Sequence, residues 1–424
     1  MKLLITNAQI FDPASKFHSK LQDVLIEDGR IAKVGKNLSA KQKLDIGGKL
    51  ICPGFVDLFA HFNEPGFEQK EDIQSGIASA LFSGFTDVCV IPNTDPVLET
   101  KSDINFVTSR SAKGVTLHPI AAVSLATEGE NLTEILDLHH AGAIAFSDGV
   151  KPIWNSELLL KTLQYVARFG GLVITRPKDH HLSQFAQMHE GPVSTVLGMK
   201  GEPALSEEIA IKRDLDILRY AGGKIHFTQI STAGAVELVK GAKKEGLQVT
   251  CDVAIHQLMY TDQQLMTFDT NLKVDPPFRL ERDRRALISG VKSGVIDAIV
   301  SGHQPQDMES KELEFDLSEF GICSLPTVYS NLLKLDVELP LELSVPRITS
   351  SPRKILGLDE VSIAEGFPAR LAIFDPEVNW VFDAVTNPSK SSNSPQLGEE
   401  LTGRCRGVIN GEVVNMFEKS TLRV

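Results

Sequence analysis

Short runs in which apolar and polar residues alternate, separated by turn-forming pairs, occupy both ends of the chain. At the amino end LLITNAQIFD, QDVLIEDGRIAKVG and KLICPG follow this period-two pattern within residues 2–52, with Asp28-Gly29 placed at a hairpin tip. Residues 364–415 do the same through ARLAIFDP and GRCRGVINGEVVNM, where Asn410-Gly411 lies between two strands. Such pairs tolerate the positive φ of tight hairpins. Neither end offers enough sheet for a stable core alone, so residues 1–53 and 356–424 are expected to pack as one small β-sandwich built from both termini.

The middle of the chain, residues 54–355, changes period. Eight β-like runs (55–62, 85–92, 115–123, 142–147, 171–176, 224–230, 247–255 and 295–301) alternate with amphipathic stretches such as 156–169, 206–221, 232–245 and 280–293. Alternating strand and helix implies a parallel sheet, and eight units imply a closed (β/α)8 TIM barrel. The polar stretch SKSSNSPQ at 389–396 reads as an exposed loop.

Composition narrows the partners. The chain has 424 residues, 42% of them hydrophobic, and a formal net charge of −12. Such a surface repels phosphate backbones and anionic lipid, so neither nucleic acid nor membrane is an expected partner. Five widely spaced cysteines form no CxxC pair and read as small buried apolar residues. The opening MKLLITNAQIFD is too briefly apolar for a signal-peptide core, and no run approaches a membrane span, so a cytoplasmic location is expected.

In a barrel of this kind chemistry belongs at the carboxyl ends of the strands. Those positions hold His61, Asn93, Asp148, Arg176, Gln229, His256, Gly302 and His303. A catalytic zinc wants at least three His, Cys or carboxylate ligands and an open position for water. A fixed Arg cation, a neutral amide and a glycine make this a poor zinc mouth.

The runs GFVDLFAHFNEPGFEQKEDIQSG, GFTDVCVIPNTDP, AIAFSDG, HFTQISTAGAVELVKGAKKEGLQVTCDV, LKVDPPFRLERDRRALISGVKSGVIDAIVSGH and LTGRCRGVINGEVV resemble the class I dihydroorotases of the amidohydrolase superfamily, in the expected order. Against that resemblance the departures are specific. The family's first-strand His-x-His is Phe59-Ala60-His61, and the Arg that grips the substrate carboxylate is Asn63. Ser-Asp-Asp-Gly is shortened to Ser147-Asp148-Gly149, the strand-five His falls on Arg176 with Lys178 beyond it, and the strand-six His is Gln229. Pro-His-His becomes Ile255-His256-Gln257, the substrate-contacting Asn is Asp275, and the general-base Asp of Thr-Asp-His is Gly302 before His303.

Several local readings stay open. His61 and His303 are either ligands or residual side chains bonded within a filled mouth, and Asn93 either caps the turn PNTDP or contacts ligand. Asp148 reads equally as a turn former, Arg176 and Lys178 as partners of Asp148 or Asp179, and His226, His180 and His181 as a rearranged metal site. With these substitutions the resemblance implies a protein without enzymatic activity, metal or cofactor. It further implies a structural subunit that joins the aspartate transcarbamoylase catalytic subunit in pyrimidine biosynthesis, as a hetero-dodecamer of six plus six chains. The alternative is a cyclic-amide hydrolase working through a displaced or rearranged metal site.

Overall fold

The computed structural model describes residues 1–112 and 114–417, so residues 418–424 of the carboxy-terminal segment lie outside the described residues. The apolar runs of the middle region form eight parallel strands: Phe55–Ala60, Phe85–Val90, Thr116–Ala121, Ala145–Phe146, Val173–Thr175, Ile225–Phe227, Val249–Ala254 and Ala298–Val300. They are hydrogen-bonded in chain order, and the His61 amide meets the His303 carbonyl at 2.9 Å where the last strand returns to the first. The result is the (β/α)8 barrel that the alternation predicts. Several strands stop short of their apolar runs because the residues beyond them turn away: Gln229, Gly149 and Gly302 all take positive φ.

The helices follow their amphipathic stretches closely. Ser156–Val166, Ala204–Ala221, Ala233–Lys244 and Glu281–Ser293 lie outside the strands, with Asn155 and Thr232 capping two of them through side-chain oxygens. The strands are buried on both faces, as a parallel sheet under helices requires. Val56, Leu58, Cys89, Ile120, Ile174 and Val300 belong to one apolar cluster of this barrel.

Both termini feed one eight-stranded sheet. It joins Lys2–Ile10, Leu21–Glu27, Arg30–Gly35, Gln42–Asp45 and Leu50–Pro53 to Arg370–Val381, Glu400–Asn410 and Val413–Met416. The seam is antiparallel, Leu50–Pro53 against Leu371–Phe374, and Leu3, Ile26, Ile51, Ile373 and Ile409 share a core of their own. Asp28 and Gly29 both take positive φ at the first hairpin tip. At the other tip Asn410 remains in its strand opposite Val413, so the turn is Gly411-Glu412.

One expectation is corrected here. The stretch 389–396 is not an exposed loop: Ser391, Asn393, Ser394 and Gln396 are buried. Its polar groups bond to protein instead of water. Asn393 donates to Gly321 O at 3.1 Å and accepts from Gln306 N at 3.0 Å, and Gln396 and Asn331 exchange amide bonds of 2.9 and 3.1 Å. All five cysteines are buried and free, and no helix of the described residues is long and apolar enough to cross a membrane.

Candidate active site

The mouth is organised around a pair of cations, Arg176 buried and Lys178 half-buried. Arg176, just beyond the fifth strand, is 3% exposed and donates from Nη2 to Gln229 Oε1 at 3.2 Å. Its Nε lies 4.0 Å from an Asp275 oxygen, and its guanidinium carbon sits 5.8 Å from the Phe59 ring centroid. Phe59 therefore packs beside the cation, an arrangement that supports a guanidinium electrostatically. Lys178 Nζ reaches Asp275 at 2.9 Å and Glu202 at 3.1 Å. Burial works against both members, yet the opposite charges win: the Lys178 pKa is raised and that of Asp275 is lowered.

The expected partners of these cations are thereby corrected. Neither Asp148 nor Asp179 pairs with them. Asp148 turns toward the segment after the third strand, accepting from Val123 N at 3.0 Å, Ser124 N at 2.9 Å and Ser124 Oγ at 2.6 Å. Asp179 accepts backbone amides of its own turn, His181 and Leu182. Asn93 ties the second and fourth strand ends together, donating to Asp148 O at 3.0 Å and accepting from Val150 N at 2.9 Å. A Cβ on Gly149 would lie 1.8 Å from the Asn93 amide oxygen, so glycine is required there.

The histidines divide into satisfied and unsatisfied. His303 accepts the Ser324 and Leu325 amides at Nδ1, each at 3.3 Å, leaving Nε2 facing buried Glu71 at 3.5 Å. His226 is spent on Thr250 Oγ1 at 2.7 Å and Asp252 at 2.8 Å, and Asp252 in turn accepts the Gln229 amide at 2.6 Å. His61 Nε2 lies 2.6 Å from the Asn93 carbonyl, while its Nδ1 has no partner. His256 lies edge-on to Phe278 with both ring nitrogens unpartnered. Burial lowers His61 to about 4 and His256 to about 3, so both are neutral at pH 7.

Gly302 and Asn63 hold backbone. A Cβ on Gly302 would meet His256 Cε1 at 2.6 Å, and Asn63 donates to Pro305 O at 3.4 Å. Below them Asp57 accepts the Ser301 amide at 3.0 Å and bonds the Ser301 hydroxyl, and burial raises its pKa to about 7.

A zinc ion of the kind that the resemblance implies does not fit these residues. Phe59, Arg176 and Gln229 stand at three ligand positions, Asp148 is fully bonded elsewhere, and His226 is occupied. His180 and His181 are exposed and stack edge-on with each other. Among the described residues no group of three or more His, Cys, Asp or Glu could hold a metal ion. The rearranged metal site therefore has no donor set here.

Sequence reasoning missed Glu202 and Glu71. Glu202 lies in a two-residue strand just after the short helix Pro192–Leu197, and Glu71 in the loop after the first barrel strand, so neither shows a period or motif that points to the mouth.

Comparison with known proteins sets this geometry in a lineage. The chain is 39% identical to a dihydroorotase of Pelotomaculum thermopropionicum, over 99% of each chain. It belongs to the dihydroorotase family. The family model for dihydro-orotase-like proteins matches residues 48–235, and a dihydroorotase of Acetivibrio thermocellus is 37% identical over 97% of this chain and 98% of its own. Among solved structures, an L-hydantoinase (dihydropyrimidinase) from Arthrobacter aurescens superposes with a TM-score of 0.86 at 22% identity, covering 100% of this chain and 97% of that one. That likeness shows the shared fold. The full-length relatives correct the expectation of a protein without enzymatic activity: similarity at 35–39% to proteins named dihydroorotase points to a hydrolase.

Proposed function

We propose that the protein is a cyclic-amide hydrolase of the dihydroorotase type whose mouth uses fixed cations where a metal ligand set does not fit. One observation carries this reading. Arg176 Nε and Nη1, Gln229 Nε2, His61 Nδ1 and both nitrogens of His256 are buried at the mouth without hydrogen-bond partners. Buried polar groups in a folded protein are normally paired. His61, which donates from Nε2 to the Asn93 carbonyl, keeps Nδ1 as an acceptor, while the Arg176 and Gln229 donors are suited to a ligand rich in acceptors. A ring carrying carbonyl oxygens and an anionic group supplies them.

Hydrolysis adds one water: a C–O bond forms at the ring carbonyl, the C–N bond breaks, and a proton passes to the departing nitrogen. The unspent Arg176 donors would stabilise the developing oxyanion, as preorganised donors do in other amide-cleaving sites. Neutral His256 or His61 would carry the water proton, weakly, because burial makes both poor bases. The test is interconversion of dihydroorotate and carbamoyl aspartate, followed in both directions with protein made in a host lacking its own dihydroorotase. Turnover abolished by Arg176→Met supports the reading; background rates in both directions overturn it.

Assembly is a second proposal, supported by the resemblance and by an acidic surface ill-suited to nucleic acid or membrane. The partner is the aspartate transcarbamoylase catalytic subunit, with six copies of each chain. Co-expression followed by size-exclusion chromatography tests it, and separate elution at micromolar concentration rejects it.

A further inference from the structure

A cavity of about 400 Å³ opens at the end of the barrel opposite the mouth. It lies where the fifth to eighth strands begin, beneath helices Leu341–Ile348 and Ser350–Leu356. Its charged lining is Lys224, Arg347, Lys354 and Asp297.

The positive charge there is unspent. Asp297, the one acid of the lining, is taken by Lys243 Nζ at 2.6 Å and by the Cys251 amide at 2.9 Å. Lys224 Nζ donates only to the Gly170 carbonyl, at 3.1 Å, which leaves its charge unneutralised. Among the described residues neither Arg347 nor Lys354 forms an ion pair, and the Arg347 Nε is buried without a hydrogen-bond partner. In a chain of net charge −12, three unneutralised cations around one concavity form a local reversal of field. The remaining wall includes Leu247 and Ile355, which present apolar surface.

We propose that this cavity binds a small phosphate ester, with its phosphate on Arg347, Lys354 and Lys224 and its organic part against Leu247 and Ile355. A volume of about 400 Å³ exceeds what a bare ion fills and lies in the small-molecule range of about 300–1,000 Å³. A monoester phosphate carries about −1.5 to −2 at pH 7, which matches the excess of cations better than a single carboxylate does. Arg adds a planar fork suited to two phosphate oxygens at once. The site is separate from the mouth and does not depend on the hydrolase reading.

Isothermal titration of the full chain with phenyl phosphate tests the proposal, with inorganic phosphate as competitor and benzoate as the carboxylate control. The expected result is one site per chain, competition by phosphate, and weaker binding of benzoate. Arg347→Ala and Lys354→Ala should each weaken phenyl phosphate by about tenfold or more, the scale of a lost charge-assisted contact. Lys33→Ala, at an exposed position of the strand Arg30–Gly35 in the terminal sheet, should leave it unchanged. Lys354 is exposed, so its variant keeps the test valid if Arg347→Ala fails to fold. Failure of the wild type to saturate below about 10 mM overturns the site, because binding so weak amounts to less than about 3 kcal/mol. Equal affinity for benzoate, or unchanged affinity in both variants, overturns it as well.

Discussion

Replacing Asp275 by Asn removes the carboxylate that faces Lys178 at 2.9 Å and Arg176 at 4.0 Å, while keeping the shape of the side chain. Breaking a buried ion pair from one side costs about 3–5 kcal/mol, because the surviving charge has left water without compensation. Two features place this site at the low end. Lys178 keeps Glu202 at 3.1 Å, and the side chains of Lys178 and Asp275 are 19% and 17% exposed. We expect a loss of about 2–3 kcal/mol at pH 7, read from urea denaturation monitored by circular dichroism. The pH dependence supplies a second reading. The Asp275 pKa is depressed by its cationic neighbours, so its stabilising effect is present above the ordinary carboxylate value of about 4 and is lost as pH falls through the lower folded value. The Lys178 contribution runs the other way, present below about 10.4 and lost as pH rises through its raised value. The gap between wild type and Asp275→Asn should thus narrow in acid. Replacing the cluster together, by Arg176→Met, Lys178→Met and Asp275→Leu, should be less destabilising than adding the three single losses, since no buried charge is then stranded and Glu202 retains Arg279 at 2.7 Å. A single-variant loss below about 0.5 kcal/mol, the level of an ordinary surface change, would refute the reasoning.

Gly149→Ala should cost about 2–4 kcal/mol in thermal denaturation, since its Cβ would lie 1.8 Å from the Asn93 amide oxygen at a φ of 65°; a melting temperature equal to wild type would show that the Asn93 tie is dispensable. Asp57 titrates near 7 because of burial, so its protonated form favours the folded state and stability should fall as pH rises from about 4 to 7. Asp57→Asn should flatten that part of the stability profile, and an unchanged slope counts against it. Elemental analysis of the untagged protein should read well under about one zinc per chain, the minimum for a catalytic zinc site; stoichiometric metal would mean that the donor set has been misjudged.

The barrel was legible in the sequence because its strands and helices are local patterns: eight apolar runs, helical spacing between them, and turn pairs at both ends of the chain. The substitutions at the mouth were legible for a similar reason. Phe59, Arg176, Gln229 and Gly302 stand at motif positions whose flanking runs still mark the register, so their identity alone argues against a zinc donor set.

What those side chains do with one another was decided only by tertiary structure. Arg176 and Lys178 are about a hundred residues from Asp275, and spacing along the chain did not distinguish it from Asp148 or Asp179 as their partner. The choice follows from direction: Asp148 is turned away by the amides of Val123 and Ser124, which leaves Asp275 and Glu202 to face the cations. The polar stretch 389–396 shows the same limit, since its composition suits water until backbone groups from distant loops take water's place. Local periodicity reports which face of an element is apolar, whereas the pairing of buried polar groups depends on which loops meet above the barrel.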